Sequence, residues 1–327
     1  MKPILVTGAS GLLAVHTILQ LLDEGYAVRG LVRDPEKLSW LTRPGLEIVP
    51  GSVENPEILE QAVAGCGAVV HAAAITDPDR LHYEEYRMVN AEATRNLLNA
   101  AVRAGVERFV YVSTANTLGY GSALSPGDES APANGPFRRS AYARSKGEGE
   151  AWARQFAGRM QVMIVHPTFM IGAYDARPSS GRIITLHFGR RWIFCPPGGK
   201  NFVDVRDAAL GVVAALFRGR SGESYLLAGE NQSYREFFGQ LGYLMPVAPR
   251  LIPVPAVVLL AAGLAGSLVR RLGIRTALSL TNARILCISN YYTGAKATRE
   301  LEVAFRPIPG AIREAVSWFR QTGQITD

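Results

Sequence analysis

Ile4-Leu5-Val6-Thr7-Gly8-Ala9-Ser10-Gly11-Leu12-Leu13-Ala14 decides the fold: an apolar, β-branched run breaks into a glycine-rich turn and then into residues recurring at helical spacing. That is a strand, a tight turn and a helix N-terminus in immediate succession. Gly8 permits the turn, and Gly11 lets the backbone come close to a pyrophosphate, whose charge the first helical amides meet. Ala14 stands where a third glycine is usual, and its methyl is small enough for a helix to pack on a strand. An ordinary glycine-rich turn is the plain alternative, but its position favours a dinucleotide-binding loop.

Working outward, short β-branched runs at residues 4–6, 27–32, 47–50, 68–71, 108–113 and 162–165 alternate with amphipathic stretches. Leu12, Leu13, Val15, Ile18, Leu19 and Leu22 share one helical face, as do Ala93, Leu97, Leu98 and Ala101. Strands alternating with helices imply an α/β fold with a doubly wound parallel sheet. After Pro167 the rhythm breaks into Pro/Gly-rich connections such as Cys195-Pro-Pro-Gly-Gly. The division is therefore residues 1–170 for nucleotide binding and 171–327 for a smaller, mainly substrate-binding lobe, with some later segments returning to the first domain.

A chain of 327 residues, 48% hydrophobic and 19% charged, buries a sizeable core, which excludes disorder and fibrous repeats. Its +7 charge is unevenly placed: 14 Lys/Arg face 18 Asp/Glu in residues 1–151, but 21 face 10 thereafter, and residues 237–299 contain no acid at all. No recognisable module or interleaved aromatics accompany the basic stretch, so nucleic acid is not a partner. Cys66, Cys195 and Cys287 are odd in number and in no ligand spacing, which points away from disulfides and metal. The apolar run before Gly8 is too short for a signal peptide, so the chain reads as cytosolic.

Two further segments carry chemistry. At the end of the second strand, Arg33 suits a ribose 2′-phosphate and so NADP(H), while the adjacent Asp34 keeps NAD(H) as the alternative. Tyr142 and Lys146 lie four apart on one helical face, where an ammonium would lower the phenol pKa and fit Tyr142 for proton transfer. Only 5 Lys stand against 30 Arg, so a Lys here is informative. Ser113 and Thr114 end the fifth strand, and Thr114, less favourably Ser113, is placed to donate to a substrate oxygen.

In combination, the loop at Gly8, Ser113-Thr114, Tyr142-x-x-x-Lys146 and Val165-His166-Pro167-Thr168 resemble the extended short-chain dehydrogenase/reductases, the NAD-dependent epimerase/dehydratase superfamily. The stretch His166 to Gly172, then Asn201-Phe202-Val203-Asp204-Val205-Arg206-Asp207, is similar to the dihydroflavonol 4-reductase-like and 3β-hydroxysteroid dehydrogenase-like group. The resemblance implies a Rossmann domain with the cleft between it and the C-terminal lobe. It implies Thr114, Tyr142 and Lys146 as catalytic residues, with Lys146 also on the nicotinamide ribose. Gly8, Ser10, Gly11, Leu12 and Leu13 would cradle the pyrophosphate, and Arg33 the 2′-phosphate. Ser52 and Val53 would meet the adenine, where the family commonly has Asp. Ala72, Ala73 and Ala74 would line the ribose side, with Ser113 nearby, and Pro167 and Thr168 would meet the nicotinamide amide. Thr76, Asn116, Tyr120, His166, Phe169, Arg182 and His187 fall in segments that border the cleft.

The expected activity is hydride transfer to a ketone, or from the corresponding secondary alcohol, of a small apolar substrate. A nucleotide-sugar epimerase would use the same residues, and a non-catalytic NADP-binding sensor is the reading from another class. A dehydratase fits poorly, because Ala115 and Asn116 supply no acid after Thr114. The resemblance also implies a homodimer formed by the helix near residues 82–104 and the helix carrying Tyr142. Residues 251–269 are uncharged, but Pro253 and Pro255 leave a helix of about fifteen residues, roughly 22 Å, too short to span a bilayer. The plain reading is a buried helix over the cleft; the sharper one is peripheral membrane contact through residues 250–275.

Overall fold

The structure, a computed structural model, describes residues 2–326. Strands β1 (Ile4–Thr7), β2 (Val28–Val32), β3 (Leu46–Pro50), β4 (Ala68–His71), β5 (Arg108–Val112) and β6 (Gln161–Pro167) lie where the sequence places them. Strands β7 (Phe169–Ile171), β8 (Trp192–Cys195), β9 (Gly199–Asp204), β10 (Ser224–Leu227), β11 (Glu230–Ser233), β12 (Arg250–Pro253) and β13 (Ser289–Asn290) follow. The helices are α1 (Leu12–Asp23), α2 (Pro56–Val63), α3 (Tyr83–Arg87), α4 (Ala93–Arg103), α5 (Ala141–Gln155), α6 (Arg182–Thr185), α7 (Val205–Arg218), α8 (Tyr234–Gly242), α9 (Ala256–Arg271), α10 (Leu280–Leu286), α11 (Ala295–Leu301) and α12 (Ile308–Gln321).

The first domain is a seven-stranded parallel sheet in the order β10-β6-β5-β4-β1-β2-β3. Chain order reverses direction beside β1, which opens a crevice above the carboxyl ends of β1 and β4. Helices cover both faces, as buried parallel strands require. On one face the core joins Val6, Ile18 and Val70 to Val205, Val212, Tyr225 and Leu301, so β10, α7 and α11 belong to this domain despite their late position. On the other, Leu59, Leu97 and Phe109 pack together.

The second lobe has its own core, with Phe202 stacked on Phe237 at 4.6 Å between ring centres. Its sheet runs β11-β9-β13, with β7 also paired to β9, and β12 pairs with β8 as a separate ribbon. Because β7 follows β6 after one residue, the lobe grows directly from the carboxyl edge of the main sheet.

Helix α9 spans sixteen residues, close to the expected length, but it is not buried: only Gly263 and Gly266 are inaccessible. The expectation of a covered helix therefore fails. Its glycines pack so closely on α10 that a Cβ on Gly263 would lie 2.5 Å from the Ala283 methyl, which leaves the larger side chains outside. No helix among the described residues is long and apolar enough to cross a membrane.

Candidate active site

At the carboxyl ends of β1 and β4, Gly8 adopts φ +66°, and a Cβ there would come within 2.8 Å of the Ala73 backbone. No side chain caps α1 at Gly11, and its first turn holds no acid, so the leading amides face the crevice. This cradle fits a pyrophosphate. Leu12 and Leu13 put their side chains into the core, and Ser10 stays partly accessible.

A buried relay fixes the floor of the cradle. The Ala73 amide donates to the Thr7 hydroxyl at 3.2 Å, and Thr7 bonds His71 Nδ1 at 2.7 Å. His71 Nε2 reaches Thr94, whose hydroxyl donates to the Asn90 carbonyl. Since Thr94 spends its proton there, the network assigns the hydrogen of His71 to Nε2. Burial, helped by the neighbouring Lys146 charge, pushes His71 down to about 3, so the ring stays neutral. Ala72 and Ala74 flank Ala73 on the same loop.

At the end of β2, Arg33 is exposed and has no partner among the described residues. Asp34 instead pairs with Lys37 at 2.7 Å, which holds its carboxyl below the usual range. Ser52 turns its hydroxyl to Glu54 at 3.2 Å, and Val53 is buried.

Ser140 caps α5 by accepting from the Ala143 amide, which sets Tyr142 in the first turn and Lys146 one turn on. The Thr114 hydroxyl lies close enough to the Tyr142 phenol to favour its ionised form, so the two residues meet at the crevice. Lys146 is 1% exposed and sits 4.3 Å over the Tyr111 ring. The charge balance differs from the sequence expectation. Burial pushes Tyr142 up to about 12, and burial, opposed only by Glu150, brings Lys146 down to about 7. A desolvated site thus holds a protonated phenol beside an amine that titrates near neutrality.

Asn90 went unrecognised in the sequence. It lies in a π-helical turn, Met88–Glu92, between α3 and α4. Its side chain accepts from the Ile75 amide at 2.8 Å, and donates to the Ile75 carbonyl at 3.0 Å and the Ser145 hydroxyl at 2.9 Å. One buried amide therefore ties the loop after β4 to the α5 turn between Tyr142 and Lys146. A π turn at an apolar-periodic stretch leaves no sequence mark beyond a polar residue on the buried face.

Several named residues support the site from behind. Ser113 bonds the Glu150 carboxylate at 3.0 Å instead of facing the crevice. His166 is wholly buried, held by the Thr114 carbonyl and the Thr117 hydroxyl, each at 3.2 Å, so it is placed behind the cleft and not on its surface. Burial works to raise Glu150, but His166, Arg154 and Ser113 outweigh it and keep the carboxyl low. Pro167 is buried at the end of β6, and Thr168 donates to Asn201 at 2.7 Å, joining β6 to β9.

Among the substrate candidates, Phe169 packs edge-on to Phe202, and Lys200, also missed in the sequence, lies 5.1 Å over the Phe169 ring. Burial lowers Lys200 to about 8. Asn116 and Tyr120 are half-buried, with Tyr120 edge-on to Phe137 before α5. Thr76 and Arg182 are exposed, and His187 Nδ1 donates to the Ile183 carbonyl while its ring rests on Phe238. The three cysteines are free, and no cluster of His, Cys, Asp and Glu suited to a metal exists among the described residues.

A doubly wound sheet with a glycine cradle at its crevice and a Thr-Tyr-Lys centre beside it defines a nicotinamide-dependent class of α/β protein. The chain belongs to the NAD dependent epimerase/dehydratase family, whose model matches residues 4–228. It is similar to sterol demethylase protein B of Methylococcus capsulatus, 31% identical over 98% of this chain and 99% of that one. It is also similar to the 4-hydroxy-2-methyl-3-oxo-4-farnesyl-3,4-dihydroquinoline-1-oxide ketoreductase of Stigmatella aurantiaca, 33% identical over 68% of this chain and 66% of that one. Among solved structures, dTDP-glucose 4,6-dehydratase DesIV from Streptomyces venezuelae, a double mutant with NAD bound, superposes with a TM-score of 0.76, at 25% identity over 97% of both chains. The protein is an oxidoreductase of this family.

Proposed function

We propose that the protein reduces a ketone of an apolar, terpenoid- or steroid-like compound with NADPH, Tyr142 giving the proton to the carbonyl oxygen. The observation that carries this is that Thr114 comes close to the Tyr142 phenol while Lys146 lies buried one turn further along α5. When bound, the cofactor supplies the hydride. Gly8, Gly11 and the α1 amides would hold its pyrophosphate, Lys146 its ribose, and Arg33 a 2′-phosphate, since Asp34 is already engaged by Lys37.

Tyr142 with its pKa raised to about 12 keeps its proton at neutral pH, as a general acid must. Thr114 shares the substrate oxygen and orients the phenol. As the proton leaves Tyr142, an ammonium on Lys146 stabilises the phenolate, and deprotonation of Lys146 removes that support. Reduction should therefore slow as pH rises through about 7, in an initial-rate profile at saturating ketone. Names of relatives that act on farnesylated and sterol compounds support the apolar substrate. The helix pair α3–α4 and α5, where Arg95 lies over Trp152 at 4.7 Å, would form the homodimer contact.

The test is loss of the nicotinamide absorbance on adding cyclic and prenylated ketones, with NADPH and NADH compared. Stoichiometric oxidation of NADPH is expected. Arg33→Ala should weaken NADPH roughly ten- to hundred-fold and leave NADH unchanged. Equal loss for both cofactors would contradict the assignment of Arg33, and tight NADPH binding without turnover on any ketone would contradict the reductase reading.

A further inference from the structure

Helix α9 has an inverted pattern. Val257, Leu264, Leu268 and Leu272 project along one stripe and are 71%, 55%, 53% and 78% exposed, while Gly263 and Gly266 form the packed side. In a helix of a water-facing domain the large apolar residues point to the core. Here the inner contact is so close that a Cβ on Gly266 would lie 2.1 Å from the Leu278 carbonyl oxygen, so the outward placement is built in.

The strand leading into α9 repeats the inversion. β12 pairs with β8, whose burial alternates so that Ile193 and Cys195 are inside while Trp192 and Phe194 face solvent. Arg250 lies 5.3 Å over the Trp192 ring. Aromatic rings beside cationic side chains suit the boundary between lipid headgroups and acyl chains.

Charge selects the occupant. Arg250, Arg271, Arg275 and Arg284 are exposed around this surface, and residues 237–299 supply no carboxylate. Arg270 is spent on structure, donating to the carbonyls of Pro78, Arg80 and Thr276 and so fastening α9 to the loop after β4. Glu85 of α3 already acts on Arg275, but the surface keeps a cationic excess that a second copy of the chain would oppose with its own arginines and that an anionic surface would neutralise.

We propose that α9, with the β8–β12 ribbon, is a monotopic docking element that seats the protein on an anionic lipid bilayer. The apolar stripe enters the headgroup boundary and the four arginines meet lipid phosphates. Beside α9 lies a groove of about 840 Å³ whose apolar wall is Leu260 and Ile288 and whose rim carries Arg138, Arg139 and Arg284, next to the turn at Pro136. That turn leads in the chain into α5, which carries Tyr142, so a compound dissolved in the bilayer would follow this segment towards the site. The route rests on the ketone-reductase reading; the docking does not.

The experiment is co-sedimentation of the full chain with phosphatidylcholine vesicles, with and without phosphatidylglycerol, at low salt and without substrate. Binding to the anionic vesicles is expected, at least about ten-fold stronger than to phosphatidylcholine alone, and weakening with added salt. Val257→Gln, Leu264→Gln and Leu268→Gln together should abolish it without altering the circular dichroism or NADPH binding. Arg271→Gln and Arg275→Gln should each cost about five-fold. Tyr142→Phe should bind like the wild type, which separates failure of the chemistry from failure of the docking. The proposal is overturned if the wild type stays in the supernatant, if the triple variant still pellets, or if that variant turns a stable dimer into a monomer while the wild type ignores vesicles.

Discussion

Two apolar helices of this chain, α1 and α9, have opposite fates. In α1, Leu13, Val15, Ile18 and Leu21 are buried between the sheet and α7. In α9, another largely apolar sequence buries only two glycines. Hydrophobic composition therefore does not fix burial; the neighbouring surface does. α1 sits on a sheet that offers a broad apolar face, and α9 has only the short α10 to lie on.

The first way to break this contrast is a truncation in α1. Ile18→Ala removes a fully buried side chain that rests above Gly30, and should cost about 2–5 kcal/mol in denaturant unfolding. A loss below that range would mean that the α1 interface relaxes and the two helices are less different than their burial implies.

Asn90→Ala tests the polar counterpart of that packing. It would strand the Ile75 amide and carbonyl and the Ser145 hydroxyl, at about 1–3 kcal/mol, and should lower kcat more than it raises the KM for NADPH, because the loop and α5 turn lose their tie. An unchanged kcat in a stable variant would show that Asn90 holds the fold without positioning Tyr142.

The smallest effect belongs to α9. Leu264→Gln should move stability by no more than about 0.5 kcal/mol in water, since the side chain is already solvated. A destabilisation like that of Ile18→Ala would place Leu264 in a core the structure does not show.

What the sequence revealed follows the range of the interactions involved. The loop from Gly8 to Leu13, six strands of the main sheet and the Tyr142–Lys146 pair depend on spacing within a few residues, and they stand where that spacing puts them. The return of β10, α7 and α11 to the first domain depends on contacts sixty or more residues apart, such as Tyr225 against Val165, and carries no local mark. Asn90, Lys200 and the Glu150 carboxylate behind Ser113 are likewise defined by what folds over them. Residues 251–269 were legible as a helix of limited length, but its exposure was not, because the glycines that admit α10 also read as ordinary interior residues. The expectation for Tyr142 erred for the same reason: a neighbouring ammonium lowers a phenol pKa, but burial acts on both groups and prevails.

On the proposed reading, Tyr142 delivers the proton in an NADPH-dependent ketone reduction. Its most direct test sets Tyr142→Phe beside the wild type, with NADPH binding followed by fluorescence and turnover by loss of nicotinamide absorbance. The variant should bind NADPH within about two-fold of the wild type while kcat falls roughly 10²- to 10⁴-fold. A variant that reduces the same ketone at the wild-type rate would contradict the account.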